Sequence, residues 1–233
     1  GENDFMYYMD SYYMILVLPC ILLAAYAQAK VSSVFSKYST VMSAKGFTGA
    51  QVARKILDLN GLHHVTVERI GGTLTDHYDP MKKVVRLSDP VYSSTSVAAI
   101  GVAAHETGHA IQHSTAYFPL KIRTAIFPVV SFSSKFALPL AALGLIFRID
   151  PLLNFGIVLF SAVVLFQVVT LPVEFNASLR ALNILSDTGI MSEGELVGTK
   201  KVLKAAAMTY LASALTSAMS LLRLILISRD RRR

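Results

Sequence analysis

The chain has 233 residues, of which 53% are hydrophobic and only 16% are charged, and its mean hydropathy is +0.51. Soluble domains carry about 25% charged residues, so this composition indicates a membrane protein. The net charge is +7, but the basic residues are not clustered with aromatic ones, and we expect no nucleic-acid partner. The single cysteine, Cys20, excludes a disulfide within the chain.

The first predicted element is a transmembrane helix over residues 11–29, a stretch without charge. A helix of this length spans roughly 28 Å, enough to cross a bilayer. A cleaved signal peptide is the alternative, but the preceding flank carries Glu2, Asp4 and Asp10 and no basic residue, the reverse of a signal sequence. We therefore assign residues 1–30 to an N-terminal membrane anchor whose N-terminus lies outside.

Residues 31–123 are predicted to form a water-facing lobe. A helix is expected between the capping box of Thr48 and Gln51 and the stop signal Asn60-Gly61. Three short strand patterns follow, joined by Gly-Gly and Asp-Pro turn signals, and they predict a small antiparallel β-sheet. Residues 96–114 return to a helical pattern.

Two apolar segments, residues 124–147 and 152–173, predict a transmembrane helical hairpin that occupies residues 124–173. Residues 174–204 are polar and are expected to begin with a helix, and residues 205–233 hold a last apolar run and a basic tail. The predicted fold class is therefore a mainly α membrane protein with 3–4 transmembrane helices and a lobe that contains a small antiparallel sheet.

The distribution of charge predicts the orientation. Residues 30–123 hold eleven Lys and Arg residues, against none before Asp10, which places the lobe in the cytoplasm. The hairpin then returns the chain to the cytoplasm at Glu174. The basic tail from Arg229 would end outside if the last helix crosses. Either that helix does not cross or the earlier charges dominate, and the sequence leaves both alternatives open.

The predicted helix over residues 96–114 carries a His-Glu-x-x-His motif formed by His105, Glu106 and His109. Positions four apart share a helix face, so the two imidazoles can reach one zinc ion at about 2.0–2.1 Å each. Glu106 is displaced around the helix, where it can take a proton from a zinc-activated water and deliver it to the leaving amine. Surface or satisfied core histidines are the alternative. The small apolar residues before His105 disfavour it, because uncompensated His and Glu are costly in a buried helix.

A third protein ligand must come from elsewhere in the chain. His113 lies eight residues after His105, roughly 12 Å along a helix and too far to share the ion. It is expected to support the site by a hydrogen bond or to pack. Glu174 is the leading candidate because it lies at the predicted membrane boundary. The alternative is a carboxylate that interacts favourably with the dipole of a helix N-terminus.

The segment TDHYDP supplies competing candidates for the third ligand: Asp76, His77 and Asp79. His77 and Tyr78 are also candidates for lining the cleft and stabilising the oxyanion. A purely structural role in a turn and strand is the alternative for both residues.

The motifs LTDHYDP, VRLSDPVY, AAHETGHAIQH, LPVEFNASLRAL and KKVLKAAAMTY together resemble the YugP-type neutral zinc metallopeptidases of bacterial membranes, over about residues 30–227. More distantly, the chain is similar to the HtpX heat-shock proteases and the CAAX prenyl proteases, which are gluzincins. This resemblance implies a zincin-like catalytic lobe, a Zn2+ cofactor and Glu174 as the third ligand, from the pattern Glu-x-x-x-Asp. In this chain, Ser178 occupies the position of the Asp in that pattern. Ser178 or Asn176 would then support the zinc histidines.

The sequence thus predicts a multi-pass zinc endopeptidase of the bacterial plasma membrane whose site faces the cytoplasm. Its partners would be the lipid bilayer and a peptide or membrane-protein substrate, in a quality-control role. The resemblance implies that the peptide binds in extended form to an edge strand within residues 74–88. The oligomeric state stays open.

Two other functions are weighed against this one. An intramembrane site-two-type protease would need an Asp in the later apolar runs, which contain none. A scaffold with a structural metal site would need four protein ligands. A chain with one cysteine cannot supply a cysteine-rich set, and Glu106 would be redundant in such a site.

Overall fold

The computed structural model describes residues 10–231. The predicted acidic flank residues Glu2 and Asp4, and the end of the basic tail at residues 232–233, lie outside the described residues. The chain divides into two compact units. The first unit comprises the chain up to Gln28, Lys121–Leu171 and the chain from Thr209 onward. The second unit comprises Ala29–Leu120 and Pro172–Met208.

Helices dominate both units, and the three strands belong to the second. A short π-helix, Tyr13–Val17, leads into the first α-helix. The α-helices are α1 (Leu18–Ser39), α2 (Gly49–Leu59), α3 (Asp89–Tyr92), α4 (Val97–Ser114), α5 (Phe118–Ile146), α6 (Asp150–Asp187) and α7 (Glu193–Asp230). The strands are β1 (Thr66–Ile70), β2 (His77–Asp79) and β3 (Val84–Ser88).

Within residues 10–231, four helices are long and apolar enough to cross a membrane: Tyr13–Ser39, α5, α6 and α7. This confirms the predicted mainly α membrane fold. In the first unit, the consecutive helices α5 and α6 pack closely against each other. A side chain at Gly144 would collide with the backbone of Leu153, and one at Gly156 with that of Ala141. These glycines therefore let the two helices approach closely, as small residues do in membrane bundles.

The prediction that a helix begins at Glu174 is wrong. Helix α6 runs without a break from Asp150 to Asp187, with Pro172 inside it. The residues change from apolar to polar near position 174. This change does not end the helix, because the backbone hydrogen bonds of a helix form with apolar and with polar side chains. Helix α7 is likewise a single helix from Glu193 through the apolar run. It begins with a capping box of Ser192 and Glu195.

The small sheet has the strand order β1-β3-β2, with β1 parallel and β2 antiparallel to β3. The sheet is therefore mixed, and the prediction of a purely antiparallel sheet is wrong. The connection after β1 crosses the sheet, so that β2 lies on the opposite side of β3 from β1. A turn after Asp79 then leads into β3. Asp76 fixes this crossing, because its carboxylate accepts hydrogen bonds from the backbone N–H and the hydroxyl of Ser88 at 2.7 and 2.8 Å.

The core of the second unit forms where α2, α4 and the sheet pack together. Helix α2 begins with the predicted capping box of Thr48 and Gln51 and is followed by Gly61 at a positive φ of 70°. Helix α4 begins at Ser96, whose hydroxyl accepts a hydrogen bond from Ala99 N–H. The fully buried side chains of this core include Val52, Ile56, Leu57, Val85, Leu87, Ile100 and Leu185.

We predict that Asp76→Ala destabilises the second unit and leaves bound zinc unchanged. The change removes the charged acceptor of Ser88, whose N–H is buried, at a cost of about 2 kcal/mol. Thermal unfolding in detergent and zinc content per chain measure the two effects. Asp89→Ala, which removes a half-exposed partner of Arg69, is the control and should cost under about 1 kcal/mol. Loss of zinc in Asp76→Ala would return this residue to the candidate ligands.

Candidate metal centre

The His-Glu-x-x-His motif lies on α4, on a side of the helix that packs closely against α6. Gly108 makes this approach possible, because a Cβ atom at position 108 would lie 2.7 Å from the carbonyl oxygen of Ala177. Gly108 is buried in this contact. The two helix backbones therefore nearly touch beside the motif, and side chains of α6 lie opposite the two histidines.

Glu174 is the α6 residue that reaches both histidines. One of its carboxylate oxygens, Oε2, lies 3.2 Å from Nε2 of His105 and 3.5 Å from Nε2 of His109. The two imidazole rings are nearly perpendicular, with their centroids 4.8 Å apart. Glu174 is only 2% exposed. One possible ligand atom from each of the three residues lies within 4.8 Å of the others.

These three side chains fit a zinc ion. Ligand atoms that lie about 2.0–2.1 Å from a tetrahedral ion are roughly 3.3–3.4 Å from one another. The two separations from Glu174, 3.2 and 3.5 Å, lie on either side of that value. Two imidazole nitrogens and one carboxylate oxygen are also a donor set of catalytic zinc sites, which keep a fourth position for water or substrate.

Both histidines are hydrogen-bonded at the ring nitrogen that faces away from Glu174. Nδ1 of His105 lies 3.1 Å from the hydroxyl of Ser178. Nδ1 of His109 lies 3.0 Å from Oε1 of Gln112. Such bonds orient zinc histidines and select the nitrogen that binds the ion.

Gln112 is a residue that the sequence analysis missed. The available signal was its position three residues after His109, on the same face of α4. Asn176, expected to support a histidine directly, instead accepts a hydrogen bond from the Gln112 amide at 3.0 Å. It therefore acts on His109 through Gln112.

The electrostatics of the centre favour a positive charge. Burial lowers the pKa of the His109 imidazole, but the hydrogen bond and negative charge of Glu174 outweigh this effect and raise the pKa. The charge of Glu106, which is 8% exposed, acts in the same direction. Two buried carboxylates beside two imidazoles thus form a site that a cation stabilises.

The other predicted candidates lie outside the three-residue cluster. His113 is exposed and its Nδ1 lies 3.0 Å from the Tyr78 hydroxyl. The Nδ1 atom of His77 lies 2.8 Å from the carbonyl oxygen of Thr75. Asp79 accepts a hydrogen bond from Arg86 at 3.1 Å. The TDHYDP side chains therefore serve the strand and turn, except that Tyr78 reaches the helix of the motif.

The fold and the site define a membrane protein in which a His-Glu-x-x-His helix and Glu174 of α6 together provide a zinc-type donor set. Residues 13–229 match the family described as "Putative neutral zinc metallopeptidase", and the chain belongs to this family. It is 51% identical, over 92% of its own length and 96% of the relative's, to the "Putative membrane protease YugP" of Bacillus subtilis (strain 168). No solved structure matches the chain. The predicted YugP-type resemblance is confirmed, and the cofactor of the family is zinc.

We predict that Gly108→Ala weakens zinc binding by separating α4 from α6. The added methyl group would press on the Ala177 backbone, which cannot yield without moving Glu174 and Ser178. Overpacking of this kind costs about 1–3 kcal/mol. Competition with a chelator measures zinc affinity, and thermal unfolding measures stability. Gly194→Ala, where a Cβ atom meets nothing within 4 Å, is the control. Unchanged affinity in Gly108→Ala would contradict the dependence of the site on this contact.

Proposed function

We propose that the protein is a membrane-anchored zinc endopeptidase of the gluzincin type, with His105, His109 and Glu174 as the zinc ligands and Glu106 as the catalytic base. The observation that supports this proposal best is the position of the Glu174 carboxylate, within 3.2 and 3.5 Å of the two motif histidines. The membership of the chain in a zinc metallopeptidase family supports the same reading.

The chemistry is divided between the cofactor and the side chains. A zinc ion held by His105, His109 and Glu174 would supply Lewis-acid chemistry, which polarises the scissile carbonyl and lowers the pKa of water. Glu106 takes the proton of the attacking water and passes it to the leaving amine. Its neighbouring position on α4 keeps it beside the ligand histidines but displaced around the helix, so it is free for proton transfer. The burial of Glu174 and Glu106 limits competing hydration of both carboxylates.

An extended peptide is proposed to add to β2, one of the two edge strands of the sheet, along the side where β2 pairs with no other strand of residues 10–231. Tyr78 lies in β2, and its hydroxyl is 3.0 Å from His113, one helical turn after His109. Burial raises the pKa of Tyr78, and the charge of Asp79 adds to this effect, so the phenol stays protonated. Tyr78 is therefore the candidate donor to the oxyanion of a peptide held along this edge.

The proposed location is the bacterial plasma membrane, with the site in the cytoplasm. The eleven basic residues of positions 30–123 support this orientation, and the relative is named a membrane protease. Substrates would then be peptides or membrane proteins near the inner surface, which fits a role in quality control.

Cysteine labelling tests the orientation, in a background that carries Cys20→Ala. Met81 is 91% exposed in the second unit and Ile149 is 46% exposed in the turn between α5 and α6. A membrane-impermeant maleimide is expected to label Ile149→Cys in intact cells, and Met81→Cys only after permeabilisation. Labelling of Met81→Cys in intact cells would reverse the orientation.

Zinc content and peptide hydrolysis together test the proposed roles. Glu106→Gln should keep about one zinc per chain and lose roughly 10²–10⁴-fold in activity, because the base is lost while the ligands remain. Glu174→Gln should lose most of its zinc and its activity. Glu193→Gln, a change at an exposed position, should alter neither. Full activity in Glu106→Gln would exclude the proposed mechanism, and a wild type that binds no zinc would favour a non-catalytic membrane scaffold.

A further inference from the structure

We infer that Arg180, Asn176 and Gln112 form a positioning relay that keeps hydrogen on Nδ1 of His109, so that in the neutral ring Nε2 presents its lone pair toward Glu174. The three residues are called the relay below. The inference rests on the proposed role of His109 as a zinc ligand. It adds residues that do not themselves touch the ion.

The relay begins at Arg180 on α6, the one member that can only donate hydrogen bonds. Its Nε–H donates to Oδ1 of Asn176 at 2.8 Å. The guanidinium also lies over the ring of Tyr117, with 5.9 Å between the guanidinium carbon and the ring centroid. Because Arg180 cannot accept a hydrogen bond, the Asn176 amide must turn its oxygen, and not its nitrogen, toward Arg180.

The same Asn176 oxygen fixes the orientation of Gln112. Nε2 of Gln112 donates to Oδ1 of Asn176 at 3.0 Å and to the carbonyl oxygen of Val173 at 2.8 Å. Both partners are acceptors, and Gln112 is fully buried. A flipped Gln112 amide would place its oxygen against two other oxygens with no water to separate them. The Gln112 oxygen must therefore point the other way.

That oxygen faces His109. Oε1 of Gln112 lies 3.0 Å from Nδ1 of His109. An amide oxygen only accepts, so Nδ1 must carry the hydrogen. In the neutral ring the lone pair then lies on Nε2, the nitrogen that is 3.5 Å from the Glu174 carboxylate.

The two motif histidines differ in this respect. The partner of His105 Nδ1 is the hydroxyl of Ser178, at 3.1 Å. A hydroxyl can rotate to donate or to accept, so Ser178 accommodates either tautomer of His105. Only His109 has its tautomer imposed by a chain of groups whose donor and acceptor roles are determined. Ser178 therefore provides a natural comparison for the relay.

The test measures the tautomer in metal-free protein, apart from any activity. Histidine-selective ¹⁵N labelling and NMR in detergent report which ring nitrogen carries hydrogen. The spectra are recorded at a pH high enough for His109 to be neutral. The wild type is expected to show hydrogen on Nδ1 of His109. Gln112→Met, which removes the acceptor, is expected to show a mixture of tautomers. Arg180→Met is expected to show a smaller fraction of the second tautomer, because the Val173 carbonyl still holds the Gln112 amide. Asn176→Asp retains the acceptor and should keep the wild-type signal. Ser178→Ala should change the signal of His105 and not that of His109.

Zinc affinity, measured by chelator competition, is the second readout. Loss of a group that orients a zinc histidine typically weakens binding 10–100-fold. We expect a loss in this range for Gln112→Met, a smaller loss for Arg180→Met and little change for Asn176→Asp. Thermal unfolding identifies variants that fail to fold. Weaker zinc binding in Arg180→Met without a tautomer change would overturn the relay, and so would an unchanged signal together with unchanged affinity. Zinc retained in His109→Ala would instead overturn the proposed ligand set, whatever the tautomer.

Discussion

The carboxylate of Glu174 is buried between helices α4 and α6. The packing of these two helices has to supply this carboxylate with partners. An ionised carboxylate taken out of water is strongly destabilising unless paired. His105 and His109 supply the pairing from α4, at 3.2 and 3.5 Å. They can do so only because α4 and α6 approach until Gly108 meets the backbone of Ala177. Close packing and charge pairing are thus one constraint here, and the raised pKa of His109 is its electrostatic consequence.

The continuity of α6 explains how one short segment serves both histidines. Glu174 and Ser178 are four residues apart and lie on one face, where they contact opposite nitrogens of the His105 ring. Asn176 lies between them on a different face and contacts Gln112, the partner of His109. A helix that began at Glu174 would have frayed ends at these positions. An uninterrupted helix holds the three side chains at fixed angles.

The parts of the site that follow from local spacing could be predicted from the sequence, and the parts that depend on long-range packing could not. The four-residue spacing of His105 and His109 on one helix face is a property of the helix alone. The capping boxes at Thr48 and Ser192 are equally local, and the structure contains both. The parallel pairing of β1 with β3 depends on where a six-residue connection crosses, which no periodicity encodes. The role of Gln112 depends on which residues of α6 face it.

The neutral partners of the two histidines also affect the charge of the centre. Ser178 and Gln112 add no charge, so the buried carboxylates of the centre are those of Glu174 and Glu106. Two negative charges balance one divalent cation, whereas a third carboxylate at position 178 would leave an excess negative charge in a buried site. In the proposed mechanism, uptake of a proton by Glu106 would neutralise one negative charge and would leave a centre that holds zinc net positive. Negative charge that develops on a substrate carbonyl is then stabilised at the moment of proton transfer. Ser178 is a weaker hydrogen-bond partner for His105 than a carboxylate at this position would be. In the proposed mechanism, the neutral hydroxyl preserves the charge balance of the centre.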